Sequence, residues 1–208
     1  MNLINTLENQ RKTTPVWDIA VRIFHWSLVL AFFIAYFTED DFETLHVYAG
    51  YTVLGLISFR VIWGLIGTKY ARFSNFVCGF NSVKQYLKGM FTGKPKHYVG
   101  HNPAGGMMIL ALLLSLFALS YSGLETLAAD GKGPLANSEI SIVSTAYADD
   151  HEHHSDKESV WEDIHEFLAN FTLMLVFVHV AGVVVSSLIH KENLVRAMIT
   201  GKKQTPPE

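Results

Sequence analysis

The stretch His165-Glu166-Phe167-Leu168-Ala169-Asn170-Phe171-Thr172-Leu173-Met174-Leu175-Val176-Phe177-Val178-His179-Val180-Ala181-Gly182-Val183-Val184-Val185 decides how this chain folds. It is long and apolar enough to cross a hydrocarbon core, which takes about 20 residues of helix. At about 100° per residue, the fourteen steps from His165 to His179 end roughly 40° short of four turns. The two imidazoles therefore share one face, about 21 Å apart along the axis. An ionisable side chain within such a helix is costly and marks a functional position. Two on one stripe describe a helix that serves two sites, one towards each membrane surface.

The rest of the chain agrees. Its 208 residues are 50% hydrophobic and 17% charged, and its mean hydropathy is +0.23. That balance belongs to an integral membrane protein rather than a soluble domain. The single cysteine, Cys78, excludes an intrachain disulfide and a Cys-x-x-Cys-His haem attachment. Nothing in the pattern points to nucleic acid as a partner. The first apolar run ends in Thr38-Glu39-Asp40-Asp41 with no small-x-small cleavage site, so it reads as a span rather than a signal peptide.

Four stretches are long enough to span: Ile19–Phe37, Thr44–Ile66, Pro103–Leu124 and Val160–Ile189. Helices satisfy their own backbone in lipid and no alternating barrel pattern occurs, so the expected fold is all-α. The expectation is one integral membrane domain over 1–208, a four-helix bundle with a long outer loop over about 125–159. Loop charge sets its orientation. The connection Gly67–Pro103 carries six basic residues (Lys69, Arg72, Lys84, Lys88, Lys94, Lys96) and no acid. Lys191, Arg196, Lys202 and Lys203 follow the fourth span. By contrast, Thr38–Leu45 holds four acids and no base, and Ser122–Asp163 holds ten acids and two lysines. Both termini are thus expected in the cytoplasm.

This orientation sorts the histidines by depth. His25 falls near the inner surface and His46 near the outer; on the fourth span His165 is outer and His179 inner. Depth pairs His46 with His165 and His25 with His179. Two imidazoles facing each other across a bundle suit a hexacoordinate haem iron. Zinc would recruit further ligands at short spacing, and Glu166, the one neighbouring acid, points away from the stripe. Gly50, Gly55 and Gly182 leave a ligand-side face without side chains, which lets a flat ring approach the backbone. Arg60 follows His46 by fourteen residues on the same face, and Arg22 precedes His25 by three. Both are candidates for the propionates of the inner haem, with snorkelling to lipid headgroups as the plainer alternative. Singly, each histidine has an ordinary explanation as a packing, capping or interfacial residue. Four at matched depths do not.

The segments Arg22-Ile23-Phe24-His25-Trp26, Leu45-His46-Val47-Tyr48-Ala49-Gly50-Tyr51, Gly100-His101-Asn102-Pro103-Ala104-Gly105-Gly106 and His165-Glu166-Phe167-Leu168-Ala169-Asn170 lead on to His179. Together they resemble the bacterial cytochrome b561 and nickel-hydrogenase b-type cytochrome superfamily, from about Val16 to Gly201. The resemblance implies two b haems with His25, His46, His165 and His179 as axial ligands, in the bacterial inner membrane. It also implies electron exchange between the quinone pool and a periplasmic partner, a c-type cytochrome or a hydrogenase-like protein. No residue is assigned a catalytic role. An alternative within the same class is a stand-alone quinol oxidoreductase acting on a small oxidant such as superoxide. A metal-ion transporter is a third reading; it would need carboxylates along its path, which the first three spans lack.

Three further features are noted. Asp149-Asp150-His151-Glu152-His153-His154 is either a metal-chelating loop or a solvated acidic surface that steers a basic partner. His101 and Asn102 either contact a quinone head group or cap the helix that begins at Pro103. His97 and His190 read as interfacial residues.

Overall fold

The computed structural model describes residues 13–39, 41–92, 96–136 and 154–204. Apart from the backbone of His154, the Asp149–His154 cluster lies outside what is described. Seven helices and two short strands follow one another among these residues: β1 (Thr13–Pro15), α1 (Ile19–Phe37), α2 (Glu43–Ile66), α3 (Phe73–Phe76), α4 (Phe80–Phe91), α5 (Pro103–Ala129), α6 (His154–His190), α7 (Leu194–Thr200) and β2 (Lys202–Gln204). Four helices are long and apolar enough to cross a membrane: α1, α2, α5 and the Val160–His190 part of α6. The fold is all-α with a membrane-type helical frame, as the composition requires. Helix α5 runs beyond the apolar stretch that ends at Leu124. Glu125 is the first charge, but the helix continues because Thr126 Oγ1 bonds the Ser122 carbonyl (3.1 Å) and Tyr121 donates to Glu125 (2.5 Å).

Two compact units emerge from the contacts. The first comprises Met1–Val29, Ser58–Ala111 and Phe177–Glu208; the second comprises Leu30–Ile57 and Leu112–Val176.

In the first unit the starts of α1, α5 and α7 are fixed by side-chain caps. The Asp18 carboxylate accepts from the Val21 backbone N–H (2.8 Å), and its other oxygen accepts from Thr68 Oγ1 (2.5 Å) and Trp63 Nε1 (3.2 Å). One acid thus caps α1 and ties it to the end of α2. Asn102 caps α5 by accepting from Gly105 N–H (2.7 Å), with Pro103 in the first turn. Asn193 does the same for α7 through Arg196 N–H (2.7 Å), and Gly201 closes that helix at φ 80°. Antiparallel pairing of Thr13, Thr14 and Pro15 with Gln204, Lys203 and Lys202 joins the two terminal segments. The Gly201 carbonyl reinforces the join by accepting from Val16 and Trp17 N–H (2.8 and 3.1 Å).

The second unit has its own buried seam, made by Ala31, Phe32, Ala49, Val53, Ile57, Leu116 and Ala169. Buried Ser115 and Thr172 share a 2.6 Å hydrogen bond across helices, and nearer the surface Tyr36 donates to Asn170 (3.1 Å).

Burial alone would raise the Asp18 carboxyl, but its hydrogen bonds from Thr68, Val21 and Trp63 hold it below the usual carboxylate range. Asp18→Ala is expected to cost about 1–2 kcal/mol, as loss of a good cap does. The readout is a lower thermal midpoint in detergent. A depressed native pKa stabilises above the unfolded value and is lost as pH falls through the native one. Parent and variant should therefore converge below about pH 4.

Candidate functional site

The second unit holds one histidine pair. His46 from α2 and His165 from α6 stand with ring centroids 5.9 Å apart and planes at 79°. Each ring has its Nδ1 against a backbone carbonyl: His46 on Ala35 O (2.9 Å) and His165 on Leu119 O (3.1 Å). A carbonyl only accepts, so Nδ1 carries the proton in the neutral ring, and the Nε2 lone pair is left free. Ser122 Oγ lies 3.0 Å from His165 Nδ1 and donates to the same Leu119 carbonyl (2.9 Å). Ser122 is 1% exposed. The next residue, Gly123, is equally constrained: an added Cβ would meet His165 Cε1 at 2.8 Å. Ser122 and Gly123 together seat the His165 ring.

The two rings line a pocket whose other walls include Phe32, Gly50, Val53, Leu119 and Ala169. Gly50 is one helical turn after His46, and no atom lies within 4 Å of where its Cβ would be. The wall beside His46 is therefore open where a side chain would otherwise stand.

The first unit holds the other histidines. His25 packs edge-on against Trp26 (5.1 Å) and lies within electrostatic range of His179. Four polar side-chain atoms are buried without a partner among the described residues: Arg22 Nε, His25 Nδ1, Arg60 Nη1 and His101 Nδ1. All four belong to this unit. Arg60 is 3% exposed. Its Nη2 donates to the Ala71 carbonyl (3.0 Å), and its guanidinium lies over the rings of Phe73 (5.0 Å) and Phe76 (5.9 Å). Arg22 lies against the Gly201 turn, where an added Cβ would meet its Nη1 at 3.1 Å.

His101 sits between Trp17 (4.3 Å) and Phe76 (4.7 Å). Burial, then the charges of Arg60, Lys203 and His179, push its pKa down to about 3, so the ring is neutral at physiological pH. Asn102 is the residue that caps α5, and His101 is left free of that task. His97 and His190, read as interfacial from the sequence, stand together. Their rings are 5.4 Å apart, and His97 pairs with Glu192 (2.7 Å), which also holds Lys203 (3.3 Å).

Sequence spacing singled out His25, His46, His165, His179, Arg22 and Arg60; the structure brings the rings of His46 and His165 together and sets His25 within electrostatic range of His179. It missed the Ser122-Gly123 seat, whose one signal is a small-residue dipeptide in an apolar span. It also missed the aromatic clamp on His101. Among the described residues no three His, Cys, Asp or Glu side chains are grouped to hold a metal ion. The histidines come in pairs.

A four-span helical frame with half-buried imidazoles, His46 and His165 paired across helices, is that of a membrane helical bundle. The chain belongs to the prokaryotic cytochrome b561 family, whose model matches residues 16–201. Comparison with curated proteins and with solved structures gave no significant match. Family membership makes this a multi-pass prokaryotic membrane cytochrome that binds b-type haem and works in electron transport.

Gly123→Ala should force His165 from its seat. Overpacking of this kind costs about 1–3 kcal/mol. A fall in thermal midpoint beyond that of a control such as Gly79→Ala, where an added Cβ meets open space away from the histidines, would show it.

Proposed function

We propose that the chain holds two b haems and carries electrons between the quinone pool and a periplasmic redox partner, a c-type cytochrome or hydrogenase-like protein. The outer haem would be held by His46 and His165 and the inner by His25 and His179. The observation that carries this reading is the His46–His165 pair, with centroids 5.9 Å apart and both Nδ1 atoms engaged by carbonyls. Two imidazoles bound to opposite sides of one metal, at metal–nitrogen distances of about 2.0–2.1 Å, place their centroids roughly 6 Å apart. The open wall at Gly50 suits a flat macrocycle.

The first unit fits the same group by a different chemistry. His25 keeps a ring nitrogen that no protein atom satisfies, and Arg60 Nη1 and Arg22 Nε are donors without acceptors. Anionic carboxylates such as haem propionates would satisfy both arginines. Bound haem supplies one-electron redox chemistry; the protein supplies orientation, burial and exclusion of water.

His101, neutral and unpartnered at Nδ1, is the candidate contact for a quinone head group. Asn102 is not, because its side-chain oxygen is committed to Gly105 N–H. The β1–β2 pairing supports an arrangement with both termini on one side, and the basic loop 67–103 makes that side the cytoplasm of a bacterial inner membrane. The acids of the opposite loops suit a basic periplasmic partner.

Absorption spectra of purified variants test the assignment. His179→Ala should lose the inner haem preferentially and His46→Ala the outer, each leaving about half the reduced b-type absorbance. Equal loss of both haems from either change would overturn the pairing, and a wild-type protein with one haem per chain would overturn the count.

A further inference from the structure

We propose that α4 is an interfacial helix that binds anionic phospholipid through Lys84 and Lys88. At twelve residues it spans about 18 Å, too short to cross a bilayer. Its order around the axis is what places it. Val83 (7% exposed) and Tyr86 (5%) face the protein, where the Tyr86 hydroxyl lies 3.5 Å from His190 Nε2 and its ring 5.8 Å from that of Tyr98. Next round the helix comes an apolar edge: Phe80 is 75% exposed and Leu87 is exposed beside it. With about 100° per residue, Lys84 and Lys88 lie roughly 40° and 80° beyond Phe80, and Asn81 and Gln85 lie beyond them. Protein, apolar edge, cationic edge and polar edge thus follow in sequence. A helix at the headgroup boundary needs this order, with its apolar edge in the acyl region and its ammonium groups at phosphate level.

Charge complementarity selects the lipid class. In the same unit Lys203 and His97 share Glu192. Among the described residues Lys84 and Lys88 have no carboxylate partner, and the sequence from Gly67 to Pro103 contains no acid. No described residue therefore supplies their counter-charge. An anionic headgroup supplies a net negative charge at that depth; a zwitterionic one does not. A lysine near a charged bilayer surface is worth about a five-fold gain in binding. This inference is independent of the haem assignment.

The test uses the full-length protein in nanodiscs of phosphatidylcholine and phosphatidylglycerol in equal parts, with retained lipid counted by native mass spectrometry. Wild-type protein should retain phosphatidylglycerol preferentially. The Lys84→Gln/Lys88→Gln variant should lose that preference by roughly ten-fold or more. Equal retention of both lipids by wild-type protein, or an undiminished preference in the double variant with wild-type helicity, would overturn the proposal. In a Cys78→Ser background, a spin label at Phe80→Cys should collide with oxygen more often than with an aqueous nickel chelate. The reverse order would place the helix in water and overturn it equally.

Discussion

The constraint on which the outer site depends is the need to aim one imidazole nitrogen inward while satisfying the other. The helical frame meets it with backbone carbonyls rather than with extra polar side chains in lipid. Ala35 is near the end of α1, where its carbonyl accepts from Thr38 N–H at a long 3.3 Å and keeps capacity to accept from His46 Nδ1 (2.9 Å). Leu119 lies well inside α5, where its carbonyl is already engaged by the helix. There the seat needs more: Ser122 Oγ bonds both the Leu119 carbonyl and His165 Nδ1. The same function is thus met cheaply at a helix end and with a dedicated hydroxyl at a helix centre. Gly123 is the steric counterpart of that hydroxyl, since the ring occupies the space its side chain would take.

What the amino-acid sequence revealed follows from what a helix makes local. The number of spans, the shared face of His165 and His179 and the phase of Arg60 against His46 all depend on one helix at a time, and a 3.6-residue period reads them directly. Contacts between distant segments left no such trace. Nothing near Arg60 announces that its partner is the carbonyl of Ala71, eleven residues on and beyond the end of α2. The clamp on His101 is made by Trp17 and Phe76, neither of them on α5. His97 and His190 looked interfacial because Glu192, which organises them, is 95 residues from His97. The helix ends were legible to within a few residues, except where polar side chains carry α5 past its apolar stretch.

The two units solve the burial of polarity in opposite ways. In the second, buried hydroxyls close on one another, as in the Ser115–Thr172 bond. What stays open there is the free face of two neutral imidazoles and the gap beside Gly50. In the first, Arg22, His25, Arg60 and His101 each keep a buried atom that no described residue satisfies. An unmet buried polar group costs roughly 1–3 kcal/mol, so four within one unit represent a substantial stability debt. Such a debt is retained where something from outside the polypeptide discharges it. The types of atom say what that must be: two guanidinium donors call for anionic acceptors, and a neutral imidazole calls for either a metal or a hydrogen-bonding group. On the proposed reading, a ring carrying carboxylates would meet the first three demands at once and leave His101 over. A second, uncharged ligand would then fall to that residue, whose ring packs at a tilt against Trp17 (4.3 Å) and Phe76 (4.7 Å).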